Sequence, residues 1–566
     1  MLLNLLVLAP FAAAMLMVAT SKEDSKSSSR MGILLGFVFV AMSIALLVTG
    51  NQSTDPVEWF KLPGAKGPVY YFLHSGSFGG WMVFLSTVLS LVALITARNT
   101  ACKNYRNFAI GIFALMGAMN GTFLAADGVL FFMFFEAMVI PAAVLIAAYG
   151  GKEKSKAAMT FAIYTLVGSA PMMVALWYMV TVADNALPAS LANAFHTMDP
   201  TIQMTLVVSF LLAFLVKTPI FPFHGWQAIS YAEAPAPLSA ILTGAMSKTG
   251  VFGMLYWCIL IFPERTVDIA DTMVVLGLVT AVYGALMALR ATDAKKLLAF
   301  SSMGHLGLAV AGLFTISDVM FPGLLMLLVA HGLSAGAQFF LIGIAERYTG
   351  TRELSKMGGL ARTVPVFSTL FGFAAVMALA VPGTAGFVGE FNILMALWAV
   401  GPAYALVGGL CMILSAAYML RFVQKVIFGK SEGELVEGAR MTALEGSSIG
   451  IMVVLLLAFG LHPNCVTKNS YEILSPETVA KMDVKKEAQD ATAENKDAAQ
   501  AIAQEASAIP AAEASVPGED GQVIAIPQTE EEIAQLKANL KANGFSDEEI
   551  ASLVAEMKAM NAEGGN

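Results

Sequence analysis

The sequence predicts an all-α membrane protein of about fourteen transmembrane helices, and two observations carry that expectation. Of its 566 residues, 57% are hydrophobic and only 13% are charged, whereas soluble domains run at roughly a quarter charged and under half apolar. Apolar stretches of about 18–25 residues recur from Met1 to about Leu461, each long enough to cross a hydrocarbon core about 30 Å thick.

The first stretch has no basic segment ahead of it and runs into Lys22-Glu-Asp-Ser-Lys26, so it reads as a helix rather than a cleaved signal. Helices are expected at 2–20, 32–50, 80–97, 106–125, 128–149, 157–183, 202–231, 236–262, 269–290, 296–315, 319–346, 364–399, 402–428 and 446–461. Basic residues fall in alternate loops: Lys22/Lys26/Arg30, Arg98/Lys103/Arg106, Lys152/Lys154/Lys156, Arg290/Lys295/Lys296, Arg347/Arg352/Lys356/Arg362 and Arg421/Lys425/Lys430/Arg440. The intervening loops hold only Lys61, Lys66 and Arg265. The positive-inside rule places the basic loops in the cytoplasm and both termini on the other side.

Two of these helices are interrupted, at Lys217-Thr-Pro219-Ile-Phe-Pro222 and at Val381-Pro382-Gly383-Thr-Ala-Gly386. Proline removes a backbone donor and kinks a helix, and unwound backbone at membrane depth survives only where protein or water satisfies it. The breaks, at Pro219/Pro222 and Pro382/Gly383, fall in predicted helices 7 and 12, each fourth in a set of five (helices 4–8 and 9–13). Five is odd, so the sets are inverted, and inverted repeats with matching broken helices point to a transporter site near the midplane. The plain alternative is a pair of kinks that serve helix contacts alone. The chain accordingly divides into three N-terminal helices (1–100), a first repeat (101–265), a second repeat (266–430), a loop with a last helix (431–467) and a tail (468–566).

The tail holds 19 of the 41 acidic residues and only 8 of the 33 basic ones. Its Ala, Glu, Gln and Lys bias, with Pro510, Pro517 and Pro527, predicts a largely disordered linker. Leu536, Leu540, Ile550, Leu553 and Met557 recur at helical spacing and suggest two short amphipathic helices. A docking element and a solvated acidic tail are equal readings of them.

Glu136, Lys217, Lys248, His305, His331 and Glu390 stand inside otherwise apolar helices. A charge at the bilayer centre costs about 2.5–3.5 kcal/mol even on the lenient insertion scale, and such residues default to a functional reading. Burial disfavours the charged form of an acid or an amine, and an opposite charge within about 4–6 Å restores it. A Lys that gains or loses a Glu partner is therefore a proton switch. The resulting expectation pairs Glu136 with Lys217, uses Lys248, His305 and His331 as a central relay, and gives Glu390 the last transfer. Imidazole suits the relay because it titrates near neutrality and has two nitrogens. A single buried His is more often a helix-to-helix hydrogen-bond partner, but a mid-depth Lys or Glu is a costly choice for that role. His224, just past the first break, reads as an accessory group that satisfies freed carbonyls, and Lys295 and Lys296 read as topology signals.

Cys102, Cys258, Cys411 and Cys465 lie far apart without a CxxC pair, so no iron–sulfur or zinc pattern is present. A dinucleotide-binding glycine fingerprint is missing as well. Neither a cofactor nor a metal is expected in this chain, and the expected surroundings are the lipid bilayer and partner chains, not nucleic acid.

Phe134-Phe-Glu136-Ala-Met-Val-Ile-Pro141, Lys217-Thr-Pro-Ile-Phe-Pro-Phe-His224-Gly-Trp226, Ala232-Glu-Ala-Pro235, Asp293-Ala-Lys-Lys-Leu-Leu-Ala-Phe-Ser-Ser-Met-Gly-His305, His331-Gly-Leu-Ser and Pro382-Gly-Thr-Ala-Gly-Phe-Val-Gly-Glu390-Phe make the sequence recognisable. Over about 101–429 it resembles the antiporter-like subunits of NADH:quinone oxidoreductase, respiratory complex I, and within them the M type. In that family an acid after the second break looks M-type, where the L and N types and Mrp antiporters usually carry Lys. The resemblance implies that Glu136 and Lys217 match an essential ion pair, Lys248 a central lysine and Glu390 a terminal carboxylate. It implies a bacterial inner membrane, L- and N-type neighbours, and NADH, FMN, iron–sulfur clusters and quinone in partner subunits.

Two departures stand out. The family usually reads Leu-Pro-Asp-Ala-His after His-Gly-Trp, whereas this chain has Gln227-Ala-Ile-Ser-Tyr231 and so loses an acid and an imidazole near the cytoplasmic mouth. The acidic tail is also atypical. The leading expectation is a proton-translocating subunit with no redox site of its own. The alternatives are an Mrp-type sodium/proton antiporter subunit without redox coupling and a closed scaffold whose charges only hold helices together.

Overall fold

The computed structural model describes residues 1–19, 25–99, 104–429, 436–468 and 470. The tail expectations therefore lie outside the described residues, apart from Lys468 and Ser470, as do Lys22, Cys102, Lys103 and Lys430. Among the described residues, twelve helices are long and apolar enough to cross a membrane, and three shorter apolar helices (Leu2–Val18, Pro365–Ala378 and Ala385–Val400) accompany them. This is a multi-pass, almost wholly helical membrane protein.

In chain order the helices are α1 (Leu2–Val18), α2 (Ser25–Thr49), α3 (Ser77–Ala97), α4 (Tyr105–Leu124), α5 (Gly128–Ala137), α6 (Val139–Tyr149), α7 (Lys154–Val182), α8 (Pro188–His196), α9 (Pro200–Lys217), α10 (Gln227–Glu233), α11 (Ala236–Ile241), α12 (Lys248–Gly253) and α13 (Pro263–Asp268). They continue with α14 (Ala270–Arg290), α15 (Ala294–Leu313), α16 (Met320–Thr349), α17 (Leu360–Thr363), α18 (Pro365–Ala378), α19 (Ala385–Val400), α20 (Pro402–Val423), α21 (Ala443–Leu461) and α22 (Asn464–Thr467). A small hairpin, β1 (Val57–Phe60) with β2 (Val69–Tyr71), and the short α8 and α13 were not expected from the sequence.

Polar side chains fix the helix starts, because the first turn of any helix leaves backbone N–H groups without internal partners. Asn104 accepts from Asn107 N, Asp127 from Val129 and Leu130 N, Asp199 from Thr201 N and Asp293 from Lys295 and Lys296 N. Asp127 also accepts from Tyr70 N and so ties the hairpin to α5. Thr442 and Glu445 close a capping box at α21, and Arg347 from the end of α16 reaches Glu445 at 2.8 Å.

The helix expected over 128–149 is divided at Met138. Pro141 has no N–H for the Ala137 carbonyl, so the helical ladder is interrupted at Met138, two residues after Glu136. The helix expected over 236–262 carries two π-helical stretches, Leu242–Met246 and Met254–Ile259, on either side of α12. α3 and α16 are mostly apolar and almost completely buried inside the bundle.

At the basic end of these helices a charged cluster joins four chain segments. Arg352 reaches Glu233 at 2.5 Å and Asp293 at 2.8 Å and donates to the Ala232 carbonyl. Glu233 also accepts from Glu153 N, while Lys295, only 4% exposed, donates to Ala234 O at 3.1 Å and lies 3.4 Å from Glu346. Lys295 is thus part of a lock between α10, α15 and α16, beyond the topology signal expected of it. Burial alone would raise the Glu233 carboxyl, but the Arg352 hydrogen bond, the Glu153 N–H and the charges of Arg352 and Lys295 outweigh it and hold it below the usual carboxylate value.

Arg352→Ala leaves Glu233 and Asp293 facing each other without their shared cation, and a loss of about 1–3 kcal/mol is expected, discounted for partial exposure. Thermal unfolding of the detergent-purified protein reads it. A depressed carboxyl contributes stability that is full above about pH 4.3 and is lost as the pH falls through its folded value. The gap between variant and wild type should therefore narrow in acid, and a pH-independent gap would contradict the assignment.

Candidate functional site

α9 stops at Lys217 because Pro219 and Pro222 follow and cannot continue its hydrogen bonds. Two carbonyls at the break are met inside the protein: Ile220 N donates to Leu215 O at 3.0 Å and Trp226 Nε1 to Val216 O at 2.9 Å. His224 Nε2 lies 3.3 Å from the Tyr283 hydroxyl and its ring stacks on Phe221.

The Lys217 ammonium is buried 4.6 Å from the centre of the Phe135 ring, and among the described residues it has no hydrogen-bond partner. Glu136, half-buried at the end of α5, leaves Oε1 unpartnered. The two charges act on one another, and Ser169 stands beside the carboxylate. No ion pair within 4.0 Å joins them among the described residues, so they stand as electrostatic neighbours without a closed contact.

Lys248 opens α12 between the two π stretches, which bulge the helix and are frequent at functional sites. Gly244 in the first π stretch lies directly on Gly332 of α16: a Cβ on Gly332 would stand 2.7 Å from the Gly244 carbonyl oxygen. Small residues allow such backbone contact between membrane helices, and here it carries the neighbouring His331 up to Lys248. Lys248 Nζ lies 2.7 Å from His331 Nδ1 and donates to Thr243 O at 2.7 Å. The His331 ring centre is 5.3 Å from that of His305, and His305 Nδ1 is 2.9 Å from Glu390 Oε1.

Glu390 sits on the second turn of α19 and is 3% exposed. The gap before α19 turns on Ala380 and Gly383, at φ +50° and +93°, and Thr384 caps the new helix by accepting from Phe387 N. Glycine meets no steric objection at such a φ.

Four of the six residues selected from the sequence therefore form one line across α12, α16, α15 and α19: Lys248, His331, His305, Glu390. Lys217 approaches it through Thr218, whose hydroxyl a Cβ on Gly250 of α12 would overlap. Around the line, Lys217 Nζ, Thr218 Oγ1, Gln227 Oε1, Thr243 Oγ1, Ser302 Oγ and His331 Nε2 are buried without a partner among the described residues. Such atoms are rare in folded proteins and each needs an explanation. Sequence reasoning missed Thr218, Thr243 and Ser302, since a single hydroxyl in an apolar helix carries no signal.

Broken helices that enclose ionisable side chains place the chain in the class of ion-translocating membrane proteins. Residues 125–416 match the family model described as NADH:quinone oxidoreductase/Mrp antiporter, transmembrane, and the chain belongs to that family. It is 30% identical to NADH-quinone oxidoreductase subunit M of Escherichia coli, over 84% of this chain and 97% of that one. It superimposes with a TM-score of 0.76 and 28% identity on a chain of respiratory complex I from Thermus thermophilus with bound NADH, covering 85% of this chain and 99% of the other. A chain of the Mrp complex from a Dietzia species gives 0.74 at 19% identity, over 85% and 98%, which is a likeness of fold alone.

Gly332→Ala should press a methyl group onto both the Leu85 side chain of α3 and the Gly244 carbonyl, at a cost of about 1–3 kcal/mol for overpacking. Gly409→Ala in α20 is the control, because a Cβ there meets nothing within 4 Å. Thermal unfolding of both variants is the measurement; equal melting would mean that α16 does not need the missing side chain at Gly332 to pack here.

Proposed function

We propose that this chain is the M-type, proton-translocating membrane subunit of an NADH:quinone oxidoreductase. Membership of the family and the M-type relatives support the assignment, and they make the chain one part of a multi-subunit oxidoreductase and translocase in a membrane. The observation that carries the mechanism is the line from Lys248 to Glu390, in which each group lies within hydrogen-bond or ring contact of the next.

The chemistry follows from the cost of an isolated charge in a dry interior. Lys217 has Glu136 within electrostatic reach and no closed contact with it. A neighbour's movement that draws Glu136 away disfavours the ammonium, and one that brings it closer restores it. A proton released from Lys217 crosses to Lys248 through water near Thr218 and Thr243, passes from Lys248 Nζ to His331 Nδ1, leaves by Nε2 towards His305, and arrives at Glu390. The imidazole accepts on one nitrogen as it gives up the proton on the other, so neither ring retains net charge.

On this reading the chain has no redox site, and NADH, FMN, iron–sulfur clusters and quinone belong to partner subunits, with L- and N-type chains as the expected neighbours. It spans the bacterial inner membrane with both termini on the non-cytoplasmic side. The 101–265 and 266–430 halves act as two five-helix units of opposite orientation, one centred on Lys217 and the other on Glu390. The Mrp-type alternative has less support, since the M-type relatives are nearer in sequence than the Mrp chain and Glu390 is an acid where antiporters usually carry Lys.

Lys217→Met in the assembled complex keeps the volume and removes the switch. Protons pumped per NADH in inverted membrane vesicles should fall about twofold or more, with the complex intact on a native gel. Unchanged pumping in a normally assembled complex would leave only the scaffold reading.

A further inference from the structure

Beyond the relay, Glu390 borders a second group of hydroxyls that the line from Lys248 does not use. A cavity of about 10 Å³, room for a single water, is lined by His305, Glu390, Cys411, Ser415 and Tyr418 together with apolar neighbours. The Tyr418 hydroxyl, on a side chain 2% exposed, lies 2.8 Å from Ser301 Oγ and 2.9 Å from Ser415 Oγ. In both contacts either oxygen can be the donor, so the three O–H groups can all turn over and point the other way. A chain of reversible hydroxyls that ends on a small cavity bordered by a buried carboxyl and an imidazole is what stepwise proton transfer requires.

The position of these groups gives the branch a direction. Ser301 lies six residues, about 9 Å, from Lys295 at the start of α15. Tyr418 lies one turn before Arg421, which donates to the Leu289 carbonyl at the end of α14. Both point to the basic-loop face that the positive-inside rule assigns to the cytoplasm. Glu390 lines the cavity on which these hydroxyls end.

We propose that Ser301, Tyr418 and Ser415 form a loading branch that supplies Glu390 with protons from the cytoplasmic face, separate from the line through Lys248. The proposal rests on the proton-translocation reading above. In the step, a proton from the cytoplasmic side binds Ser301 Oγ as the Ser301 O–H proton passes to Tyr418 Oη. The Tyr418 proton moves to the cavity water, and that water releases one of its own to the Glu390 carboxylate. Each oxygen forms one O–H bond and breaks one, no electrons are exchanged, and afterwards the hydroxyls turn over to reset. Ser415 accepts or donates to Tyr418 during that turn, so it is a positioning residue while Tyr418 and Ser301 carry the proton.

The test uses the assembled complex in membrane vesicles, with proton pumping per NADH, its solvent deuterium isotope effect and assembly on native gels read together. Tyr418→Phe removes one oxygen and keeps the ring; Ser301→Ala breaks the chain one step earlier, and Ser301→Thr restores a hydroxyl. Expected are normal assembly, a fall of about twofold or more in protons per NADH for Tyr418→Phe and Ser301→Ala with an altered isotope effect, and recovery in Ser301→Thr. A structural role alone would leave the isotope effect where it was, and that result overturns the proposal. If Tyr418→Phe fails to assemble, the two Ser301 variants decide by the same criteria. Wild-type pumping in Tyr418→Phe and Ser301→Ala, with Lys217→Met impaired, removes the branch and leaves the function standing; wild-type pumping in Lys217→Met as well removes the function itself.

Discussion

A charge in hydrocarbon must find a partner or give up its proton, and the interior of this protein is organised around that constraint. Lys217 and Lys248 bring two amines into the interior, and Glu136 and Glu390 bring two carboxyls. No lysine among them touches a carboxylate. Lys217 faces a ring, with Glu136 beyond closed contact, and Lys248 is held by an imidazole and a carbonyl. Only His305 and Glu390 close as acid and base. The fold thus supplies enough opposite charge to bring the residues into the membrane and withholds the close pairing that would fix their protons.

The backbone serves the same constraint. Pro219, Pro222 and Pro141 end or displace helical hydrogen bonds beside Lys217 and Glu136, and the π stretches do so beside Lys248. Each irregularity lies next to an ionisable group, and at the first break the Val216 carbonyl finds a donor in Trp226. The Gly244–Gly332 contact then sets the distance between Lys248 and His331, so the relay depends on two missing side chains as much as on those present.

What could be read from the sequence follows from what lipid makes expensive. Glu136, Lys217, Lys248 and Glu390 are conspicuous in apolar helices, the proline and glycine breaks announce themselves, and alternating Lys and Arg mark the loops. Less costly features leave no such trace. Thr218, Thr243, Ser301 and Ser415 could sit anywhere in a membrane helix, with their hydroxyls bonded to their own backbone. A π stretch arises from contacts with other helices and has no composition of its own. Asp293 and Arg352 lie in loops where a charge costs nothing by itself, and only the chain's return to one place joins them to Glu233. Whether Glu136 and Lys217 touch or merely approach is decided by a few ångströms of side-chain placement, which spacing along a helix does not specify.

The two groups of charges in this molecule are built to opposite standards. At the basic face, Arg352 is bound by two carboxylates and a carbonyl, and Glu233 by a guanidinium and a backbone N–H, so each group is engaged on several sides. A network satisfied in that way is rigid and holds its protons. At the midplane, Lys217 Nζ, Thr243 Oγ1, Ser302 Oγ and His331 Nε2 have no protein partner among the described residues, and the same low dielectric that strengthens a complete network penalises an incomplete one. Incompleteness is tolerable only where something mobile can complete it, and water carrying a proton is the smallest such partner. The rigid cluster ties α10, α15 and α16 together at one end, which leaves the loosely bonded groups on those helices and their neighbours free to exchange protons without moving the helices that carry them.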